Sequence, residues 1–147
     1  MSATSQLVPS GVETLEFRHV NSLGNPVDAL VKDLGIVYVT AITRDGCSGC
    51  EEQKPLFREL ANKMNSVLSA KVRFANVHVR SVGGDMTESW ESKKLFRHAA
   101  YPTYLVHVKS RSGPLEIYRA IYPSMDELEK QVRESLELAQ FYKDEAY

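Results

Sequence analysis

The sequence lacks a long apolar segment, an excess of one charge and the features of a leader peptide. No apolar run approaches the roughly 18 residues that a membrane span requires. The first residues contain neither a basic nor an apolar region of the kind found in signal peptides. The 18 Lys and Arg are balanced by 19 Asp and Glu, whereas nucleic-acid or anionic-membrane binding usually needs a basic surplus. We therefore expect a cytoplasmic protein, with an exported form whose leader has been removed as the alternative, and with no membrane span and no nucleic-acid partner.

Cysteine is also scarce, because the chain has only Cys47 and Cys50. A secreted disulfide scaffold uses more cysteines at longer separations, since the stabilisation from a crosslink grows with the loop that it closes. A bridge between residues 47 and 50 would close a very short loop and would stabilise the fold little. The value of such a bridge would have to be chemical.

The length and composition suit one globular domain. The chain has 147 residues, of which 43% are apolar and 25% are charged, as in ordinary globular proteins. Residues 1–12 are polar and contain one proline and one glycine. We expect a flexible tail over residues 1–12 and a single domain over residues 13–147.

Alternating strand and helix patterns predict an α/β fold. Residues 36–42 form a continuous apolar and β-branched run, which is typical of a central strand covered on both faces. The order of the elements is β-α-β-α-β-α-β-β-α, which predicts a central mixed sheet with helices on both faces, closed by a C-terminal β-hairpin and a last helix. The other predicted strands are residues 15–20, 72–79, 103–108 and 115–122.

The helix that follows the cysteines should present one apolar face. Pro55 lies within it and should kink its axis, because proline removes an amide donor. The apolar residues at helical spacing predict the buried stripe. They are Leu56, Phe57, Leu60, Ala61, Met64, Val67 and Leu68.

The two later helices carry more specific predictions. Trp90 and Phe96 are interpreted as core anchors of a helix that begins near residue 87. The densest basic cluster, Lys93, Lys94 and Arg97, is interpreted as a solvated face of the same helix. Before the last helix, Ser124 and Glu127 have the spacing of a capping box.

The two cysteines fall where a strand pattern gives way to a helix pattern. A thiol at a helix N-terminus faces unpaired amides and the positive end of the helix dipole, and both favour the thiolate. Such a position can lower a cysteine pKa to roughly 3.5–7.5, from about 8.5. We expect Cys47 to be the more exposed, attacking thiol and Cys50 to resolve the mixed disulfide. Between them, Ser48 adds a hydroxyl donor and Gly49 leaves the loop less constrained than a proline would.

A C-x-x-C pair also occurs in zinc sites. Zinc normally has four ligands, so histidines or carboxylates would have to supply the other two. His98 is the most suggestive candidate for a third ligand. His19, His78 and His107 lie in strand patterns and are interpreted as surface or core residues.

Three features together resemble the thioredoxin superfamily. The first is Cys47-Ser48-Gly49-Cys50 after the strand pattern of residues 36–42, and the second is Pro55, five residues beyond Cys50. The third is Tyr101-Pro102-Thr103, which enters a strand pattern and is similar to the family's cis-proline loop. The resemblance covers about residues 36–140, and the joint match is more specific than any one feature.

That resemblance implies a thioredoxin-like fold and a thiol-disulfide oxidoreductase that exchanges disulfides with protein clients. Tyr101 and a cis Pro102 should line the client groove, together with Ser48 and Gly49. No cofactor is expected beyond the redox-active disulfide. The implied partners are protein thiol or disulfide clients and a reductase that donates or accepts electrons. The implied roles are electron transport and cell redox homeostasis.

The sequence departs from thioredoxins proper around the motif. Ala41 stands where they have a buried acid, and Gly46 stands where they have an aromatic residue. No lysine corresponds to theirs near Asn76, and Ile121 stands where they often have a glycine near the active site.

The missing acid leaves the proton of Cys50 without an evident acceptor. Water must serve, or another group such as Glu52 or His98. The alternative to catalysis is a non-catalytic thioredoxin-like module that binds a partner through Trp90 or through Phe141 and Tyr142. A zinc site is the less favoured alternative.

Overall fold

The computed structural model describes residues 11–145, which form five strands and five α-helices. A short 3₁₀ turn at Ser69–Lys71 precedes the third strand. In chain order the strands and α-helices are β1 (Val12–Glu16), α1 (Phe17–Asn21), α2 (Pro26–Leu30), β2 (Val37–Arg44), α3 (Ser48–Leu68), β3 (Val72–Val79), α4 (Thr87–Phe96), β4 (Thr103–Ser110), β5 (Gly113–Ile121) and α5 (Met125–Asp144).

The strands form one mixed sheet in the order β1-β3-β2-β4-β5. β3 pairs in parallel with both β1 and β2. β4 is antiparallel to β2, and β5 is antiparallel to β4. Helices α3 and α5 cover one face through a buried cluster that includes Phe57 and Leu128. Helices α1 and α4 cover the other face through Phe17 and Phe96. The predicted α/β architecture, with its C-terminal hairpin and last helix, is confirmed.

β2 is the central strand that its apolar run predicts. Every residue from Val37 to Ile42 is buried, and β3 and β4 flank the strand on either side. Its side chains alternate between the two clusters, with Ala41 on the α3 face and Ile42 on the opposite face. The strand continues to Arg44, two residues beyond the predicted end, because β3 pairs with it as far as Val79.

The first predicted strand is wrong in position. β1 ends at Glu16, and Phe17 already begins α1. Phe17 and Val20 are both buried in one cluster, and their spacing of three fits one face of a helix, whereas in a strand it would place them on opposite faces. The strand instead takes in Val12, which the tail prediction had included. Residues 1–10 of that predicted tail lie outside the described residues.

The predicted apolar stripe of α3 is confirmed at its centre and wrong at one flank. Phe57, Leu60, Ala61 and Met64 are buried. Leu56 and Val67 are 45% and 62% exposed. With about 100° of rotation per residue, both lie some 80–100° to the same side of Phe57 and therefore point past the sheet.

The later helices give two confirmations and two corrections. Phe96 is buried, whereas Trp90 is 67% exposed and is not a core anchor. Ser124 caps α5, because its Oγ accepts the Glu127 amide at 3.1 Å. The capping box is not reciprocal, since the Glu127 carboxylate accepts a hydrogen bond from Gln131 instead. Over residues 11–145, none of the helices combines the length and apolar character that crossing a bilayer requires.

Candidate redox site

The predicted strand-to-helix junction holds the cysteine pair. β2 ends at Arg44, and the loop then turns at Gly46, whose φ of +71° is in the region that glycine tolerates best. Cys47 occupies the N-cap of α3, and the helix begins at Ser48. Cys47 and Cys50 are joined in a disulfide with their Cα atoms 5.2 Å apart. The junction therefore places both sulfurs at the N-terminus of a 21-residue helix.

The Cys47 sulfur acts as the capping group of α3. Its Sγ accepts the backbone N–H of Cys50 at 3.1 Å, so it satisfies one of the amides that a helix start leaves unpaired. The same N–H and the helix dipole would stabilise a thiolate at Cys47 after reduction. The expected contrast in exposure is small in the disulfide form, because Cys47 is 8% and Cys50 is 5% exposed.

The loop before β4 packs against the cysteine loop. The Tyr101–Pro102 peptide bond is cis, and the Tyr122 N–H donates to the Pro102 carbonyl at 3.0 Å. A Cβ placed on Gly49 would lie 3.4 Å from Pro102 Cδ and 3.2 Å from Tyr122 Cδ1. The structure thus brings together Gly49, both cysteines and Pro102, while Ser48 is exposed at the rim.

Tyr122 is a site residue that sequence reasoning missed. Its ring lies against Gly49, it is 46% exposed, and its φ of +50° is uncommon for a residue with a side chain. The nearby Glu52 carboxylate raises the pKa of Tyr122. Ile121, the residue before Tyr122, pairs with Thr103, the residue after Pro102. No sequence pattern marks a tyrosine in this backbone conformation.

Tyr101 is held from several sides. Its hydroxyl donates to the backbone carbonyl of Ser89 at 3.2 Å. Arg44 Cζ lies 5.1 Å and Lys93 Nζ 5.7 Å from the centre of its ring, within the range of cation–π contacts. The His98 ring meets it edge-on at 4.8 Å. These contacts fix the side chain that precedes Pro102 while leaving it partly exposed.

His98 has a structural position. Its Nδ1 is bonded to the Ala100 carbonyl at 3.0 Å and its Nε2 to Ser92 Oγ at 2.9 Å. Burial lowers the pKa of His98, so the ring is neutral near pH 7. Because both ring nitrogens are engaged, His98 is not placed to bind a metal with the cysteines or to take a proton from Cys50. Within residues 11–145, no three His, Cys, Asp or Glu side chains are grouped as a metal site.

A cavity of about 190 Å³ lies beside Cys50. Ala41 lines it at the position where thioredoxins proper carry an acid, together with Thr43, Lys54 and Asn76. The Thr43 hydroxyl donates to Asn76 Oδ1 at 2.9 Å. Glu52, the other group considered for this proton, is not among the residues that line this cavity. The volume next to Cys50 is therefore polar at its walls and large enough for several water molecules.

His78 links the edge of the sheet to the cysteine loop. Its Nε2 is 2.7 Å from Asp45 Oδ1, and its Nδ1 is 3.1 Å from Glu16 Oε1. Asp45 also accepts the Ser81 N–H at 3.1 Å. Burial alone would lower the pKa of His78, but the bonds to Asp45 and Glu16 raise it. The bond to His78 in turn lowers the pKa of Asp45.

Replacing His78 with glutamine should reduce stability most at mildly acidic pH. A histidine whose pKa is raised by folding contributes stability that is present below its unfolded pKa of about 6.5 and is lost as pH rises through the folded value. We expect His78→Gln to lower the free energy of unfolding by on the order of 1 kcal/mol at pH 6 and by less at pH 9. Urea unfolding at both pH values measures this difference. His19→Gln, at an exposed histidine, is the matched control, and an equal loss at both pH values would contradict the prediction.

The geometry defines a class of protein. It is an α/β protein in which a disulfide begins the helix after the central strand and faces a cis-proline loop. For the alternative of a zinc site, the described residues contain no third His, Cys, Asp or Glu side chain grouped with the two cysteines. Comparison with known structures identifies which α/β fold this is.

Solved structures of the thioredoxin fold match most of the chain. The Trx4 domain of ERdj5 matches with a TM-score of 0.60 and 18% identity over 88% of this chain and 99% of that one. Thioredoxin from Schistosoma mansoni matches at 0.54 and 18%, over 84% and 95% of the two chains. Thioredoxin f from spinach chloroplasts matches at 0.54 and 16%, over 95% and 99%. No family model and no curated protein sequence matches the chain.

The chain therefore has the thioredoxin fold. The low identities fit a sequence that has diverged from thioredoxin proper, in agreement with the departures at Ala41 and Gly46. The likeness concerns the fold, and the chemistry of the site follows from its own residues.

Proposed function

We propose that the protein is a thiol-disulfide oxidoreductase that acts on protein clients through Cys47 and Cys50. The observation that carries the proposal is the disulfide at the N-terminus of α3, packed beside Pro102 and Tyr122. A bridge across two residues contributes little to stability, whereas this position favours the thiolate that exchange chemistry requires. The disulfide itself is the redox group, and no further cofactor takes part.

Disulfide exchange proceeds by two successive nucleophilic substitutions at sulfur. In the reduced protein, the Cys47 thiolate attacks a client disulfide, forms a mixed disulfide and releases one client thiolate, which takes up a proton. Cys50 then loses its proton and attacks Cys47 Sγ. This forms the Cys47–Cys50 disulfide and releases the second client thiol. Two electrons pass from the protein to the client, and the reverse sequence oxidises a client dithiol.

Client binding is assigned to the surface around the cysteine loop. Pro102 and Gly49 form its floor, and Ser48 and Tyr101 lie at its edges. Within the described part of the chain, the Tyr101 backbone N–H and C=O have no hydrogen-bond partner. They are therefore available to an extended client segment, which can pair with a free backbone edge as an added strand does.

The proton of Cys50 is assigned to water in the cavity beside it. Thr43, Lys54 and Asn76 give this cavity polar walls, and a water there can make several hydrogen bonds. This arrangement replaces a fixed acid at Ala41. It supports resolution of the mixed disulfide without the group that thioredoxins proper use.

A peptide disulfide exchange assay tests the proposed function. Turnover of a neutral peptide disulfide is measured with dithiothreitol as the electron donor, and the same protein with both cysteines alkylated is the control. We expect clear catalysis by the unmodified protein. A rate no greater than that of the alkylated protein would overturn the proposal. The natural electron donor is expected to be a reductase with its own dithiol or disulfide.

Tyr122 is expected to contribute to client binding. Tyr122→Ala removes the ring that lies against Gly49, so the KM for a peptide client should rise by roughly threefold to tenfold. Reduction of the disulfide by dithiothreitol should not slow, because the small thiol does not need the ring. Phe141→Ala, which removes a 59% exposed ring from α5, is the control. An unchanged KM in Tyr122→Ala would show that the client does not contact this ring.

A non-catalytic partner-binding module is the second candidate. It is favoured by Trp90 and Phe141, whose rings are 67% and 59% exposed. The equilibrium reduction potential of the cysteine pair separates the two candidates. A value between about −270 and −120 mV fits dithiol exchange, whereas a pair that cellular thiols cannot reduce or reoxidise would favour the module.

A further inference from the structure

A cationic and aromatic surface lies beside the cysteine loop, and the chemistry of exchange does not require it. Arg44 and Lys93 both approach the Tyr101 ring, with Cζ at 5.1 Å and Nζ at 5.7 Å from its centre. Trp90 lies one helical turn before Lys93 on α4 and is 67% exposed. We define Arg44, Lys93, Tyr101 and Trp90 as the cationic surface.

The two cations of this surface are not neutralised within the structure. Among residues 11–145, neither Arg44 nor Lys93 forms a salt bridge. Arg44 Nε donates only to the Asp45 carbonyl at 3.3 Å. Their charges are therefore available to an external anion.

Several nearby carboxylates are hydrogen-bonded or point elsewhere, whereas Glu51 lines the same cavity as Arg44. Asp45 is bonded to His78, and Glu88 is bonded to Arg80. The Glu52 carboxylate lies near the Tyr122 hydroxyl. Glu91 is two positions from Lys93 on α4, about 200° around the helix axis. The cationic surface itself contains two cations and no carboxylate, although the whole chain has a net charge of −1.

The cationic surface adjoins the proposed client site, so its ligand is expected to be part of the client and not a separate molecule. Tyr101 immediately precedes Pro102, which contacts the cysteine loop at Gly49. Arg44 lies three residues before Cys47 and also lines the cavity beside Cys50. A client segment bound beside Pro102 therefore lies next to Tyr101, the residue that both cations contact.

We infer that the cationic surface selects clients whose reactive cysteine is flanked by Asp or Glu. The client carboxylate would lie between Arg44 and Lys93, and neighbouring apolar atoms of the client would contact Trp90. Charges arranged in this way favour the right partner and speed its encounter. The inference rests on the proposed function and adds the class of client to it.

Matched peptides test the inference. Three peptide disulfides of one sequence carry Glu, Gln or Lys on both sides of the reactive cysteine, and kcat/KM is measured for each at low salt. We expect the Glu peptide to exceed the Lys peptide by about fivefold or more. This ratio should fall towards one in 0.5 M NaCl, where the screening length is only a few ångströms. It should also fall in Arg44→Gln and Lys93→Gln. Lys94→Gln, at the next exposed lysine of α4, is the matched control and should keep the ratio.

Binding without chemistry gives an independent readout. Trp90 is the one tryptophan of the chain, so the fluorescence of the protein reports on this surface. A Glu-rich peptide without cysteine should change the emission and compete with the client, whereas its Lys counterpart should do neither. A single-stranded oligonucleotide that competes equally well would show unselective polyanion binding and overturn the inference.

The results with the three peptides test the charge preference and the exchange activity separately. Turnover of the Gln peptide by the unmodified protein establishes exchange. With that turnover present, equal kcat/KM values for the Glu and Lys peptides would overturn the charge preference alone. Absence of turnover with all three peptides would overturn the proposed function itself. A ratio that Lys94→Gln lowers as much as Lys93→Gln does would also overturn the inference, because it would show a diffuse effect of net charge.

Discussion

Replacing Cys50 with serine should leave the protein covalently attached to its clients. Cys47 would still attack a client disulfide, because its sulfur keeps the contact with the residue 50 amide and its position at the N-cap of α3. The mixed disulfide would then persist, since no second thiol in the chain can displace the client. We expect a mixed disulfide to accumulate to a large fraction of the protein and turnover to fall at least a hundredfold.

Non-reducing electrophoresis and intact-mass measurement detect this mixed disulfide after incubation with a peptide disulfide. Cys47→Ser is the matched control, because it retains one thiol in the same loop but not the capping sulfur. It should lose turnover and form little adduct. If Cys47→Ser trapped the client as readily as Cys50→Ser, the assignment of Cys47 as the attacking thiol would be wrong. Dithiothreitol should release the trapped peptide in either case.

Truncating Phe57 should give the largest loss of stability from one substitution near the site. Its ring is buried between Phe74 and Tyr104, with ring centres 5.7 and 5.3 Å away in edge-on geometry. Removing a buried aromatic ring costs about 3–5 kcal/mol, because apolar contacts are lost and a cavity remains. Since a domain of this kind is stabilised by roughly 5–15 kcal/mol, Phe57→Ala should be close to unfolding at 37 °C.

Leu56→Ala provides a matched control one residue away. Leu56 is 45% exposed, so its truncation should lower the free energy of unfolding by less than about 1 kcal/mol. Urea denaturation followed by far-UV circular dichroism measures both variants. Similar losses for the two substitutions would contradict the orientation of α3. Such a result would also question how this helix seats Cys50 against the sheet.

The parts of the fold with a single strong signal were predictable from sequence. The run of residues 36–42 is too apolar and β-branched for a partly exposed element, and it became the buried centre of the sheet. β3 has the predicted limits, Val72–Val79. The cysteine pair was placed correctly at the start of a helix, because a strand pattern ended just before it. Such signals depend on residues close together in the chain.

The mistaken predictions concern residues whose positions depend on distant contacts. Trp90 is as apolar as a core residue, but the buried face of α4 is formed by Ser89, Ser92 and Phe96. The two serines are small enough for the loop that contains Tyr101 to pack against α4. The buried face of α4 is therefore partly polar, whereas a prediction from hydrophobic periodicity requires apolar residues there. Tyr122 contacts Gly49 because its backbone N–H is hydrogen-bonded to the Pro102 carbonyl, which holds the residue after β5 beside the cysteine loop. Neither arrangement leaves a local sequence pattern.

The capping contact of α3 links the stability of this helix to the reduction potential of the cysteine pair. The Cys47 sulfur that closes the first turn is the same atom that changes charge when the disulfide is reduced. Any contact that prefers the thiolate therefore favours the dithiol over the disulfide and makes the pair a stronger oxidant. By this linkage, a substitution at the start of α3 that strengthens the cap would also shift the direction in which electrons flow between the protein and its clients.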